Sequence, residues 1–544
     1  MNRPGRDFTA SYRGDGTRAE RLFSGDSYGS SSGSDSDSPK AAPYYSSSRA
    51  GSVAGSKPVP GTAAISLDQI DDWHDDLERD PQYALAKTIL SRTDMNIVLE
   101  SRQTKIQDQM IFNTKITTEG NPIANQLSSG RCWLFAMTNV VRILTSRKFN
   151  LGNFQLSQSY LFFYDHLSKA NWFLEQVIDT YDQPLDSRTV AYLFTDAPAQ
   201  DGGQWDLAVS LVESFGLVPQ VVYPESWNSS HSATLDALLT SKLREMALKL
   251  RKQIRRDVKQ KVALRDALAA ARATKDDQLK AIYRILTITC GTPPKPDEKF
   301  EWEFIDKDKN YQRIVTTPLE FAKKYAGYNV SECISIIHDP RNDPNITMTI
   351  ERLGNVVGGR PLRYLNAKID DLASIAVNLL KNNYPVWFGC DVDKASDTVE
   401  GIMDMRLFDY DDAFGVSLDM NKRQRLVSYD SSMTHAMMLC GVHLDPVTGE
   451  PVRWRVENSW GPAACNKGFL VMSHTWFKNY VFQIVAPRRF VPPRMVDVYD
   501  HSTPKRLPPW DPLANCAGSK ANAAAFGATA QAGGAQAAGA GTSA

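Results

Sequence analysis

Four separated segments carry residue types suited to acyl transfer. Asn125 to Ala136 reads Asn-Gln-Leu-Ser-Ser-Gly-Arg-Cys-Trp-Leu-Phe-Ala, with an amide at Gln126, a turn over Ser128 to Gly130 and then a cysteine. Trp133, Leu134, Met137, Val140, Val141 and Leu144 recur every three to four residues, the period of a half-buried helix, which ends near Lys148. Cys132 therefore falls in a first helical turn, where unpaired N–H groups and the helix dipole favour a thiolate. Taken alone it reads more readily as a small buried hydrophobe. Far downstream, Met433-Thr434-His435-Ala436-Met437 sets a histidine at the head of an apolar strand, and Val456-Glu457-Asn458-Ser459-Trp460-Gly461 closes another strand. Together these supply a nucleophile in Cys132, a base in His435, an amide in Asn458 to orient that base, and Trp460 to shield the orienting bond. Gln126 can aim its amide at the oxyanion also met by the Cys132 N–H. Singly, His435 reads as core and Asn458 to Gly461 as a turn. The fourth segment, Gln200 to Leu207, pairs Gly202 with Gly203. Paired glycines serve a positive-φ turn, or let an extended peptide add as a strand against bare backbone.

Helical signals dominate early and strand signals late. Ser66-Leu67-Asp68-Gln69 is a capping signal for a first helix, which Asp80-Pro81 ends. Helices follow over 82–90 and 158–167. From Ser241 to Lys280 the chain reads as one long helix. Its apolar stripe is Leu243, Leu250, Ile254, Val258 and Val262, and its charged face includes Arg251, Lys252, Arg255 and Arg256. That face is a solvated or subunit-packing surface, or a sequence-independent nucleic-acid contact without an aromatic platform. After Pro385, short β-branched and aromatic runs read as an antiparallel sheet or barrel. The segregation gives an α+β fold with the sheet half packed on the helical half.

The chain has 544 residues, 42% of them hydrophobic, enough for two or three domains. Lys plus Arg and Asp plus Glu are 62 each, so no global field selects nucleic acid or an acidic membrane. Seven cysteines without C-x-x-C or zinc spacing point to a reducing compartment. No run reaches membrane-spanning length, no H-E-x-x-H or phosphate loop occurs, and neither metal nor cofactor is expected. The organisation expected is a disordered Ser/Gly-rich 1–64, a helical half at 65–230, an inserted helical and oligomerisation region at 231–380 and a β half at 381–500. A C-terminal arm at 501–514 and a disordered Ala/Gly-rich 515–544 complete it. Acidic residues among the N-terminal arginines argue against a mitochondrial leader, so the cytoplasm is expected, with the mitochondrion second.

The four segments, in this order, resemble the papain superfamily of cysteine peptidases. Gln126-x-x-x-Gly130-Arg131-Cys132-Trp133-x-Phe135-Ala136, Asp201-Gly202-Gly203-Gln204-Trp205, Thr434-His435-Ala436-Met437 and Glu457-Asn458-Ser459-Trp460-Gly461 are closest to the bleomycin hydrolase family within it. Ser129 stands where secreted papain relatives carry a disulfide cysteine. The 303 residues from Cys132 to His435 exceed the papain spacing by an insertion on the order of 150 residues. The resemblance implies a papain-like fold with a large helical insertion and a Cys132–His435 thiolate–imidazolium pair oriented by Asn458, with Gln126 in the oxyanion hole. It also implies substrate pairing at Gly203, aminopeptidase activity on peptides with bleomycin as a family substrate, and a homohexameric ring with weak nucleic-acid affinity. In that family the C-terminus lies in the cleft, and Leu507 to Ala514 resembles its ending, which places Ala514 there. Thirty residues follow in this chain, so self-processing near Ala514 is expected. Two alternatives stand beside the aminopeptidase: an endopeptidase with an open cleft, and a basic ring binding single-stranded nucleic acid.

Overall fold

A computed structural model describes residues 64–196 and 198–518; the Ser/Gly-rich 1–63 and the tract 519–544 lie outside the described residues. The helix Leu67–Glu78 starts at the expected capping box, Ser66 and Gln69 each accepting the other's N–H. Leu67, Ile70, Trp73 and Leu77 on it are exposed.

From Leu77 onward the chain forms one compact unit. Its helical half is built around Cys132–Lys148, packed between the helices Gln158–Asp179 and Trp205–Phe215 on one side and the strands Val386–Cys390 and His435–Leu444 on the other. The expectation of a half-buried helix is corrected: every residue from Cys132 to Ile143 is buried. Both flanks of the helix meet packed layers, so even Thr138, Asn139 and Arg142 lie inside.

The expected single basic helix is two, Ala233–Lys259 and Leu264–Cys290, lying against Gln158–Asp179. The chain reverses at 260–263, where Lys261 takes φ 62° and the Val262 N–H donates to Asp257 O at 3.0 Å. Doubling back buries Leu243, Leu250, Ile254, Ala271, Ile282 and Leu286 together, whereas Val258 and Val262 near the tip stay exposed.

The β half begins earlier than residue 381. Cys333–Ile337, Ile346–Ile350 and Tyr364–Asn366 fall within the segment expected to be helical insertion, yet they extend the main sheet. That sheet runs Lys505–Leu507, Ile346–Ile350, Tyr364–Asn366, Cys333–Ile337, Val481–Pro487, Val386–Cys390, His435–Leu444, Pro451–Glu457, Phe469–Ser473, Ile402–Met403, Ser396–Asp397, with Thr114–Lys115 also paired to His435–Leu444. Its centre is antiparallel, as expected, but three pairings nearer the edges are parallel. Strands as short as Ile346–Ile350, within a region of turns, gave too weak an alternation to be assigned to the main sheet.

The chain does not leave the fold at Ala514. That residue closes a short 3₁₀ turn, Pro512–Ala514, and Asn515 to Gly518, expected in the outlying tract, continue inward, with Cys516 and Ala517 buried. Backbone pairing accounts for this despite the low hydrophobicity of the segment: the Gly203 N–H donates to Ala517 O at 3.1 Å and the Gly518 N–H to Thr434 O at 3.0 Å.

Candidate active site

Cys132 is the first residue of its helix and is fully buried. Its sulfur lies against the start of the strand His435–Leu444, where the backbone of Ala436 hydrogen-bonds it, as does that of Trp133. His435 Nε2 lies 3.0 Å from Asn458 Oδ1. The same Oδ1 accepts the Ser459 N–H at 2.8 Å, which fixes the Asn458 amide with its oxygen toward the ring. Nε2 must then donate, and Nδ1 is the basic nitrogen. The Trp460 ring covers this bond, its centroid 5.2 Å from that of His435.

Gln126 is oriented by a residue the sequence reading passed over. The Ser459 hydroxyl donates to Gln126 Oε1 at 2.6 Å and the Gln126 N–H donates to Ser459 O at 2.8 Å. With its oxygen so engaged, Gln126 turns Nε2 toward the turn before the nucleophile, donating to Ser129 O at 2.7 Å. A second Nε2 hydrogen remains for an oxyanion. Ser459 thus couples oxyanion donor and base orienter, which are 332 residues apart in the chain; its only signal was adjacency to Asn458. Gln126→Ala is expected to lower kcat by about 10²- to 10³-fold with little change in KM, measured on a peptide with a free N-terminus.

Burial pushes the Cys132 thiol up to about 12, against the pull of the Ala436 and Trp133 backbone. Burial also takes His435 down to about 4, opposed by its bond to Asn458. The desolvation that produces both shifts favours whichever form carries no charge. Water or a polar substrate entering the cleft moves the balance toward the ion pair.

Gly203 takes the strand-adding role rather than a positive-φ turn. An added Cβ would lie 2.4 Å from the Trp133 ring, so only glycine lets this backbone reach the cleft edge, where it meets Ala517. Gly202 faces the other way, its carbonyl accepting Lys169 Nζ at 2.7 Å. Ala514, expected in the cleft, stands three residues short of the contact with Gly203; Asn515 to Gly518 make the cleft contacts, Gln204 Nε2 donating to Asn515 O at 2.8 Å.

The basic residues are far from this site and mostly engaged. Arg251, only 3% exposed, donates to Thr180 O at 2.7 Å and to Gln183 O, closing the C-terminus of Gln158–Asp179. Arg255 donates to Tyr181 O at 2.8 Å and Gln183 O at 2.7 Å, and Arg256 pairs with Asp257 at 2.9 Å. Of the four, Arg251 is buried, whereas Lys252, Arg255 and Arg256 are exposed.

The profile of the peptidase C1-like family matches residues 64–514. Cysteine proteinase 1, mitochondrial, of Saccharomyces cerevisiae (strain ATCC 204508 / S288c) is 39% identical over 458 residues, 83% of this chain and 93% of that protein. Bleomycin hydrolase of Homo sapiens is 39% identical over 446 residues, 80% of this chain and 95% of its own length. The crystal structure of PepW from Lactobacillus rhamnosis superposes with a TM-score of 0.79 at 40% identity, covering 84% of this chain and all of that one. Among the described residues no helix is long and apolar enough to cross a membrane. A cysteine at a helix start, a histidine oriented by an asparagine and a glutamine amide turned to the same point are what thioester chemistry requires, and with these relationships the chain belongs to the peptidase C1-like family and is a cysteine-type peptidase of papain-like fold.

Proposed function

We propose that the protein is a cysteine aminopeptidase whose own C-terminal strand limits it to peptide N-termini, bleomycin-type amides being within its substrate class. The observation that carries this reading is the backbone pairing of Ala517 with Gly203 and of Gly518 with Thr434. A strand held there occupies the half of the cleft that an endopeptidase needs for the residues preceding the cut. Relatives named aminopeptidase C, from Lactobacillus delbrueckii subsp. lactis and Streptococcus thermophilus, are each 38% identical over more than four fifths of this chain.

The pairing supports a processing point at Gly518 rather than at Ala514. Gly518 donates its N–H to the carbonyl just before His435, and its own carbonyl crowds Gly130, where an added Cβ would come within 2.0 Å of it. We propose Gly518–Ser519 as the bond that Cys132 cleaves. Attack of Sγ on the Gly518 carbonyl carbon would expel the Ser519 amine, which takes a proton from His435. Water then hydrolyses the thioester and leaves a Gly518 carboxylate. Gly518 has no side chain, so the side-chain space of the acyl position stays open, and its free rotation carries the carboxylate aside while Gly203 retains Ala517. That negative end meets the α-ammonium of an incoming peptide and disfavours a blocked one. The test compares free and N-terminally acetylated peptides. Free peptides should be cleaved with at least about a hundredfold higher kcat/KM, equivalent to roughly 2.7 kcal/mol of discrimination. Equal cleavage of both would support the open-cleft endopeptidase.

A homohexamer is proposed on the exposed Val258, Val262 and Leu264 near the tip of the helical hairpin, to be checked by light scattering. A reducing compartment, cytoplasmic or mitochondrial, is proposed on seven cysteines that are all free thiols, the yeast relative being named mitochondrial. Cell fractionation distinguishes the two.

A further inference from the structure

We infer that Asp201 is a positioning residue that sets the two walls of the acyl site relative to each other. Asp201 Oδ2 accepts the Gly130 N–H at 2.6 Å and the Ser232 hydroxyl. The Asp201 carbonyl accepts Trp133 Nε1–H at 2.7 Å. Gly130 lies two residues before the nucleophile, against the Gly518 carbonyl, and forms one wall. Gly203, two residues after Asp201, pairs with Ala517 and forms the other. A single residue therefore spans from the oxyanion-side turn to the substrate-pairing strand.

His166 supplies the countercharge from a fully buried position. Its Nδ1 lies 3.2 Å from the Phe162 carbonyl oxygen, which only accepts, so Nδ1 bears a hydrogen. Its Nε2 lies 2.9 Å from Asp236 Oδ1 and 3.6 Å from Asp201 Oδ1. A hydrogen on Nε2, donated to Asp236, makes the ring a cation facing both acids; burial and the neighbouring Asp201 push Asp236 up to about 7, and His166 opposes them. Burial alone would lower the His166 pKa, but Asp236 and Asp201 prevail over it and over Lys169, and the value is raised. Asp201 Oδ1 is buried and has no hydrogen-bond partner, so the nearby imidazolium is what compensates it. Without that cation, the Asp201 oxygen would be left uncompensated in the interior, and its hold on Gly130 would loosen. Lys169 extends the same frame, donating to Gln200 O at 2.8 Å and Gly202 O at 2.7 Å.

The proposal rests on the cysteine-peptidase reading of the cleft. Its test measures Asp201→Asn, His166→Gln, the double variant and the unmodified chain for kcat and KM on a free peptide and on an activated amino-acid ester. Alkylation of Cys132 by iodoacetamide is measured alongside. Alkylation needs the thiolate but not the acyl-site walls. Each single variant should lose about 30- to 100-fold in kcat, while alkylation changes by less than about twofold. The double variant should be no worse than the poorer single one. Unchanged kcat, alkylation falling in step with kcat, or losses that multiply would each overturn the proposal. If the charge variants do not fold, Ser232→Ala decides: it removes one donor to Asp201 and should cost about three- to tenfold in kcat, and no loss refutes the role. A chain that turns over the ester but no peptide fails the aminopeptidase reading while leaving this one intact.

Discussion

Replacing Cys132 by alanine is expected to abolish peptide hydrolysis, a loss of roughly 10⁴-fold or more, and to leave the C-terminal tract attached in every molecule. The two outcomes share one cause, because the tract and the substrate meet the same sulfur. Cys132 is the first residue of a buried helix, its sulfur against the backbone of Ala436, the residue after His435, and alanine at that position removes only one atom from the core. The variant should fold and assemble as the unmodified chain does. Intact mass separates the possibilities: the unmodified chain should lack Ser519 to Ala544 and the variant should carry it. Adding a small amount of active enzyme tells self-cleavage from cleavage by a neighbour. A variant that loses its tail when expressed alone would show that another peptidase does the trimming, and a tail retained by fully active unmodified enzyme would refute trimming altogether.

The second large effect concerns a buried ion pair remote from substrate. Arg142, on the nucleophile helix, meets Glu457, the residue before Asn458, at 2.9 Å, with side-chain exposures of 1% and 0%. Arg142 also donates to Pro122 O at 2.6 Å, and the Gly120 N–H donates to Glu457 Oε2 at 3.0 Å. The pair ties the helix carrying the nucleophile to the strand carrying the base's orienter. Glu457→Gln leaves Arg142 as a buried charge without a counterion and is expected to destabilise the protein by about 3–5 kcal/mol, read as a lowered urea midpoint. The paired variant Arg142→Met with Glu457→Leu should recover much of that loss, since removing both charges also removes their desolvation cost. Glu245→Gln breaks an exposed contact with Lys242 and Lys249 and should leave the midpoint unchanged. If the paired variant is as unstable as Glu457→Gln alone, the loss comes from packing and not from charge.

The sequence by itself determined the chemistry and the order of its parts. Residue type decides which groups can be nucleophile, base or amide donor, and type needs no coordinates. Cys132 at a helix start was legible because apolar periodicity marks a helix and its first turn together. His435 and Asn458 were legible because each opens or closes an apolar strand run. Distances across the fold were not legible. Ser459 reads as one more turn serine until its hydroxyl is found on Gln126 Oε1, and Asp201 reads as a loop acid until it is found on Gly130. The short strand signals between Phe300 and Leu380 could not be assigned to the main sheet, because three to five residues carry too little alternation to say where they pair. The basic helix was read as one element because a stripe can be followed past a reversal that only packing imposes. Composition misplaced Asn515 to Gly518 for a related reason: their placement is fixed by main-chain hydrogen bonds to Gly203 and Thr434, which every residue type but proline can make. Sequence therefore specified which side chains could react. Tertiary structure alone decided that the chain's own backbone, at Ala517 and Gly518, would pair with Gly203 and Thr434 beside them.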